Sequence, residues 1–203
     1  MTDYHGNNRA RAVSLIAATF VAMLAIGAPR ADAQVIPPSV PANLQVESGN
    51  TAFLIAHAFG SQNYICLLAP GGFAWTFFAP QATLFDALDQ QVITHFLSAN
   101  PDEEGKARAT WQHSGDTSAV WAGAIATSTD GNFVAAGSIP WLLLKVVGAE
   151  DGPTQGNTLS ATTFIQRVNT RGGLAPEDGC TRAADAGRKA LVPYSADYVF
   201  YAN

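Results

Sequence analysis

An all-β domain is what this sequence predicts: one sandwich or flattened barrel, mostly antiparallel, with one disulfide. Three observations point there. Short apolar runs recur along the chain, separated by Gly, Asn, Asp and Pro, as in sandwiches and barrels. Charged residues are only 13% of the 203, too few for a set of solvated helices and compatible with Thr, Ser and Gln on the outer face of a sheet. Two strong strand candidates, 139–147 and 163–173, flank a loop rich in Gly, Asp and Pro, which is a hairpin signal.

The first 33 residues read as a signal peptide. Arg9 and Arg11 precede an almost wholly apolar stretch, 12–27, and Ala31-Asp32-Ala33 is a small-x-small cleavage triplet. A membrane anchor is the competing reading, but the apolar stretch is short for a span of about 20 residues. The expected product begins at Gln34 and is secreted or periplasmic, with residues 34–41 as an extended lead-in and 42–203 as a single β domain. Pro37, Pro38 and Pro41 make that lead-in extended.

Leu44-Gln45-Val46-Glu47 alternates apolar and polar and reads as a first strand, closed by a Ser48-Gly49-Asn50 turn. Residues 51–59 and 64–68 are two apolar runs with Gly60-Ser61-Gln62-Asn63 between them. Residues 73–78 hold Trp75, Phe77 and Phe78, a strong strand signal. Residues 80–97 are ambiguous: Leu84, Phe85, Leu88 and Val92 fit a helical stripe, while 82–85 and 92–96 fit two strands around a polar turn. Segments 109–112, 119–127 and 133–136 are short strand candidates, and 181–190 is a short helix or an irregular loop. The aromatic segment Tyr194–Tyr201 closes the chain as a strand expected to be paired inside a sheet.

The segment ending in Asn169, Thr170, Gly172 and Gly173 has turn chemistry. Both cysteines, Cys66 and Cys180, follow the signal peptide and would meet an oxidising compartment. They can form a single intramolecular bridge, the alternative being two buried thiols. Closing so long a loop would contribute roughly 4–5 kcal/mol in the chain-entropy model.

Several pieces, in this order, resemble a known group: Gln62-Asn63-Tyr64-Ile65-Cys66, Trp75, 80–86, His95-Phe96, Trp111, 139–144, 166–176 with Cys180, 192–198 and Phe200-Tyr201. The chain is similar in these to secreted bacterial and fungal proteins catalogued as domain of unknown function 3455. The resemblance implies strand–turn–strand for 80–96 and pairing of the two cysteines. It implies no activity. The group usually carries an Asp-Gly-Ser turn soon after the tryptophan that matches Trp111, where this chain has Gly115-Asp116-Thr117-Ser118.

Function classes narrow by exclusion. A net charge of −5 without a basic cluster gives nucleic acid no surface to bind. Neither a dinucleotide Gly-x-Gly-x-x-Gly nor a Gly-x-Ser-x-Gly nucleophile elbow is present. The expectation is a secreted, non-catalytic binding or structural domain for an envelope or host polymer, carbohydrate included, acting as a monomer without cofactor or metal. Trp75, Trp111, Trp121 and Trp141, with Tyr194, Tyr198 and Tyr201, would supply the stacking platform if they lay exposed in a row. The alternative is an enzyme or metal-binding protein using His95 with Arg167 or Asp197. His57, His95 and His113 are too far apart in sequence to form a local ligand motif. Arg167, Asn169 and Thr170 would cradle an anion or a sugar, or else serve architecture, with Arg167 paired to Asp197 or Asp178. The candidate functional residues are therefore His95, Trp111, Arg167, Asn169, Thr170 and Asp197, with Cys66 and Cys180 as the bridge.

Overall fold

The computed structural model describes Met1, Thr2 and residues 35–203; the expected signal peptide and its cleavage near Ala33 lie outside the described residues. Eight antiparallel strands in simple chain order form one closed barrel. They are β1 (Thr51–Ala69), β2 (Gly72–Phe85), β3 (Gln91–Asn100), β4 (Lys106–His113), β5 (Ala119–Ser128), β6 (Trp141–Glu150), β7 (Thr162–Gly172) and β8 (Lys189–Ala202). The described residues contain 3-10 turns and no α-helix. Of the two expected architectures, the barrel is the one formed. Pairing of β1 with β8, from Thr51↔Ala202 to Ile65↔Lys189, closes the ring. Closure removes the unpaired edges that an open sheet would expose.

Period-two alternation decides which side chains fill the barrel. Ala56 and Ala58 of β1, Ala82 and Leu84 of β2, and Ile93 of β3 point inward. Val120 and Ala122 of β5, Ile165 of β7, and Ala196 and Phe200 of β8 meet them. The many alanines are a packing requirement, since an eight-stranded barrel has room for large side chains only if others are small. Gly60 carries this furthest. A Cβ there would lie 2.0 Å from the Gln81 carbonyl oxygen and 2.6 Å from Ala82 Cα. It lets one 19-residue strand pass unbroken where the sequence suggested two runs with a break.

A second apolar cluster lies outside the barrel, on the outer face of β6–β8. Trp141, Leu143, Phe164, Val168, Val199 and Tyr201 are covered there by Leu44 and Val134. Gln166 donates to the Leu44 carbonyl at 2.6 Å and accepts from the Tyr201 hydroxyl at 2.6 Å. This corrects the expectation of a strand at 44–47: Ala42–Leu44 is a 3-10 turn. The barrel closes on itself and offers that segment no free edge to pair with, so Leu44 docks by its side chain instead.

Other elements follow the sequence more closely. Residues 80–96 are strand–turn–strand, with Ala82↔His95 and Leu84↔Ile93 in register. The β6–β7 hairpin pairs Leu142↔Arg167 through Lys145↔Phe164. Residues 133–136 are turns, because Asp130 captures the Phe133 and Val134 amides and winds the chain before Ile139. Residues 181–190 hold a 3-10 turn at Ala183–Asp185 and the start of β8. Cys66 and Cys180 are bonded, with Cα atoms 5.5 Å apart, tying the β7–β8 loop to the projecting end of β1.

Candidate functional site

The up-and-down course puts the β2–β3, β4–β5 and β6–β7 connections at one end of the barrel and the remaining connections at the other. The first end is plugged. Leu159 is fully buried in the barrel core, and its amide donates to Ser118 Oγ at 3.1 Å. Asp116 organises this plug: Oδ1 accepts from the Ser118 amide and hydroxyl at 2.9 and 2.7 Å, and Oδ2 from the Thr158 amide and hydroxyl at 2.9 and 2.6 Å. Burial pushes the Asp116 carboxyl up, but the bonds from Thr158 and Ser118 together outweigh it and hold it well below the usual range. The Gly115–Ser118 turn therefore has a structural task.

Towards the other end the barrel is not filled. A cavity of about 260 Å³ lies among residues of β1–β8, with His95, Trp111, Arg167 and Tyr198 in its wall. The residues reach it by register. Ala82↔His95↔Trp111↔Val120 is one inward row across β2 to β5, and Leu142↔Arg167↔Tyr198 is another across β6 to β8. The His95 ring stacks on Trp111 with centroids 4.2 Å apart, and the Tyr198 ring stands edge-on to Trp111 at 5.5 Å. Apolar lining comes from Phe77, Pro80, Leu97, Leu142 and Leu144.

An opening is built into the wall. Strands β4 and β5 pair only from Ala109↔Ala122 to Gln112↔Ala119 and separate beyond that point. Ala107, Arg108, Gly123 and Ala124 line the cavity at this gap. Arg108 lies over Gly123, where a Cβ would come 3.1 Å from its Nη1. It is clamped there by Glu103, with Nε–Oε2 at 2.6 Å and Nη2–Oε1 at 2.5 Å, a two-pronged pair. The bonds from Arg108 and Asn100 lower the Glu103 carboxyl to about 2.

Electrostatics inside are unusual. His95 is buried, and its Nδ1 lies 2.8 Å from the Thr110 carbonyl, to which it donates. Burial, opposed by that bond and reinforced by the nearby Arg167 charge, lowers its pKa to about 3. The imidazole is therefore neutral near pH 7, with Nε2 as acceptor. Arg167 donates from Nη2 to the Pro140 carbonyl at 2.8 Å, and forms no ion pair among the described residues. The expected pairing of Arg167 with Asp197 or Asp178 is thus not made: inward-pointing Arg167 and outward-pointing Asp197 have opposite parity on neighbouring strands. Burial raises the Tyr194 and Tyr198 hydroxyls, which lie 3.3 Å apart.

Of the six candidate residues, then, His95, Trp111 and Arg167 come together in the cavity. Asp197 sits on the outer face, where Oδ1 is 2.7 Å from His57 Nδ1 and Oδ2 accepts from Asn169 Nδ2 at 2.7 Å. Asn169, at φ +52°, belongs to a register shift between β7 and β8, and Thr170 donates to the Ile139 carbonyl at 2.6 Å. These two residues form a bulge within β7 rather than the turn that ends it, because the strand continues to Gly172. The three histidines are dispersed: His57 bonds Asp197, and His113 lies 3.0 Å from Asp116 Oδ1. Among the described residues no three His, Cys, Asp or Glu side chains are grouped to hold a metal. The expected row of exposed rings is not formed, since Trp111, Trp121, Trp141, Tyr194, Tyr198 and Tyr201 are all buried and only Trp75 is half-buried. Sequence reading missed Gln62, Tyr198 as a cavity residue, and the Arg108 rim. The one available signal was parity: Gln62 shares the inward face with Ala56 and Ala58.

No curated protein and no solved structure matches the chain. A family model described as a protein of unknown function, DUF3455, matches residues 47–202, which takes in all eight strands and both cysteines. The barrel, its cavity and its disulfide are thus those of a member of the DUF3455 family.

Proposed function

We propose that this domain is a non-catalytic binding protein of the extracytoplasmic space that takes a small, largely apolar molecule into the barrel interior. The observation that carries the reading is the cavity of about 260 Å³, framed mostly by apolar side chains and reached through the gap between β4 and β5. A cavity of about 150 Å³ takes up benzene, so this one suits a guest of roughly ten non-hydrogen atoms. Ligand pockets of this type combine apolar walls with a few fixed polar groups. A polymer would need an open groove lined by exposed tryptophan or tyrosine rings, and Trp111, Trp121, Trp141, Tyr194, Tyr198 and Tyr201 are all buried. Export through the predicted leader suits both the disulfide and a carrier or sensor outside the cytoplasm.

The interior chemistry supports binding over catalysis. A general base works best with a pKa near the ambient pH. His95 lies far below it at about 3, and Tyr198 is raised above its ordinary value by burial. The outer His57–Asp197–Asn169 group is separated from the cavity by the sheet itself.

The experiment is a thermal-shift and tryptophan-fluorescence screen of the oxidised protein against small aromatic and aliphatic compounds. A hit should raise Tm in the native protein and lose its effect in Ala109→Phe, which fills the gap side of the cavity. A complete absence of hits, or hits unaffected by Ala109→Phe, would overturn the proposal.

A further inference from the structure

Burying an N–H donor without an acceptor costs free energy, so such donors in a cavity wall indicate what the cavity is shaped to receive. Among the described residues, Gln62 Nε2, Trp111 Nε1, Trp141 Nε1 and Arg167 Nε are buried and have no hydrogen-bond partner. Gln62, Trp111 and Arg167 line the cavity, whereas Trp141 belongs to the outer cluster on β6–β8. Gln62 and Arg167 also lie close enough to the Tyr194 and Tyr198 hydroxyls to influence them, and those hydroxyls are 3.3 Å apart. Three of the four unmatched donors therefore belong to residues that share one cavity. Arg167 adds a full positive charge to it with no carboxylate partner.

We infer that the guest is a small monocarboxylate whose oxygens accept from Arg167, Gln62 and Trp111 while its apolar body lies against Pro80, Leu142 and Leu144. The inference rests on the proposal that the cavity binds a small molecule. Charge balance selects the class. One guanidinium offsets one unit of negative charge, whereas a phosphate monoester would bring about −1.5 to −2 at neutral pH. Geometry agrees, since the flat arginine fork matches a carboxylate. His95 presents a neutral acceptor nitrogen, which directs the anionic end of the guest away from itself and towards Arg167.

The test compares benzoate with benzamide, which are nearly equal in shape and differ in charge, by calorimetric titration of the oxidised protein at neutral pH. Benzoate should bind about 10- to 100-fold more tightly, the range expected for a charge-assisted pair. Arg167→Leu should erase that preference and leave benzamide affinity within about threefold. Gln62→Leu should weaken benzoate severalfold, and together with the native comparison it decides the matter if Arg167→Leu does not fold. Equal binding of the two compounds to the native protein would overturn the carboxylate assignment while leaving interior binding in place. If neither binds at millimolar concentration while neutral compounds from the screen do, the carboxylate assignment alone falls. If nothing in the screen binds either, both fall.

Discussion

The His95 imidazole lies on the Trp111 indole at 4.2 Å between centroids, with only 16° between the planes. The two side chains come from directly opposed positions on β3 and β4. Cross-strand neighbours on one face of a sheet are close enough to stack, and here the stacked pair forms part of a cavity wall.

That contact keeps His95 dry and neutral, which has a consequence for acid stability. Its folded pKa, about 3, is below the ordinary 6.5. The unfolded chain therefore binds a proton that the folded one does not between those values. Stability is fully present above about pH 6.5 and declines as pH falls towards 3, by up to about 1.4 kcal/mol per pH unit from this group. Denaturant melts across that window should show the slope, and His95→Gln should flatten it. An NMR titration should find this imidazole neutral at pH 5, and a midpoint near 6.5 would contradict the structure.

Asp116 should govern the plugged end of the barrel. Asp116→Ala leaves the Thr158 and Ser118 donors unmatched and is expected to cost about 2–4 kcal/mol, read from chemical denaturation. Its depressed pKa adds the usual carboxylate dependence: the contribution is present above the ordinary value of 3.8 and is lost as pH falls through the lowered folded value. Hydrogen exchange should speed up at the Thr158 and Leu159 amides first, since both answer to this turn.

Gly60 should tolerate no side chain. In Gly60→Ala the added methyl meets backbone atoms of β2, which cannot rotate away. Overpacking of this kind costs typically 1–3 kcal/mol and sometimes more. The measurement is the denaturation midpoint. A neutral Gly60→Ala would show that β1 and β2 can separate at the crossing with Ala82.

Reducing the Cys66–Cys180 bridge should lower stability by roughly 4–5 kcal/mol if the chain-entropy account holds, and by less if the reduced chain retains structure. The β7–β8 loop is also held by Trp75 Nε1 on the Asp178 carbonyl at 2.8 Å. Limited proteolysis after reduction should therefore cut between Gly173 and Arg188 before it cuts the barrel.

Strand content was legible because it rests on local signals. The β6–β7 hairpin and the closing aromatic strand announce themselves by composition and punctuation, whereas 80–96 fits a helical stripe as well as two strands and is resolved only by the family resemblance and the register of β2 on β3. Breaks were less legible. Gly60-Ser61-Gln62-Asn63 looks like an interval between two apolar runs but continues a strand, since the close approach of β2 is what demands a glycine there. Asn169-Thr170 looks like a terminus but is a bulge, since β8 carries the ladder past it.

By itself the sequence determined the all-β class and left Cys66 and Cys180 one possible intramolecular pairing. Closure into a barrel was decided only by the register of β1 on β8, between segments from opposite ends of the domain. The same long-range pairing decided that His95, Trp111 and Arg167 share a cavity while Asp197 faces outward. A strand has two faces, and local pattern tells which residues go together on one of them. Which residues from seven other strands stand opposite is a property of the closed ring.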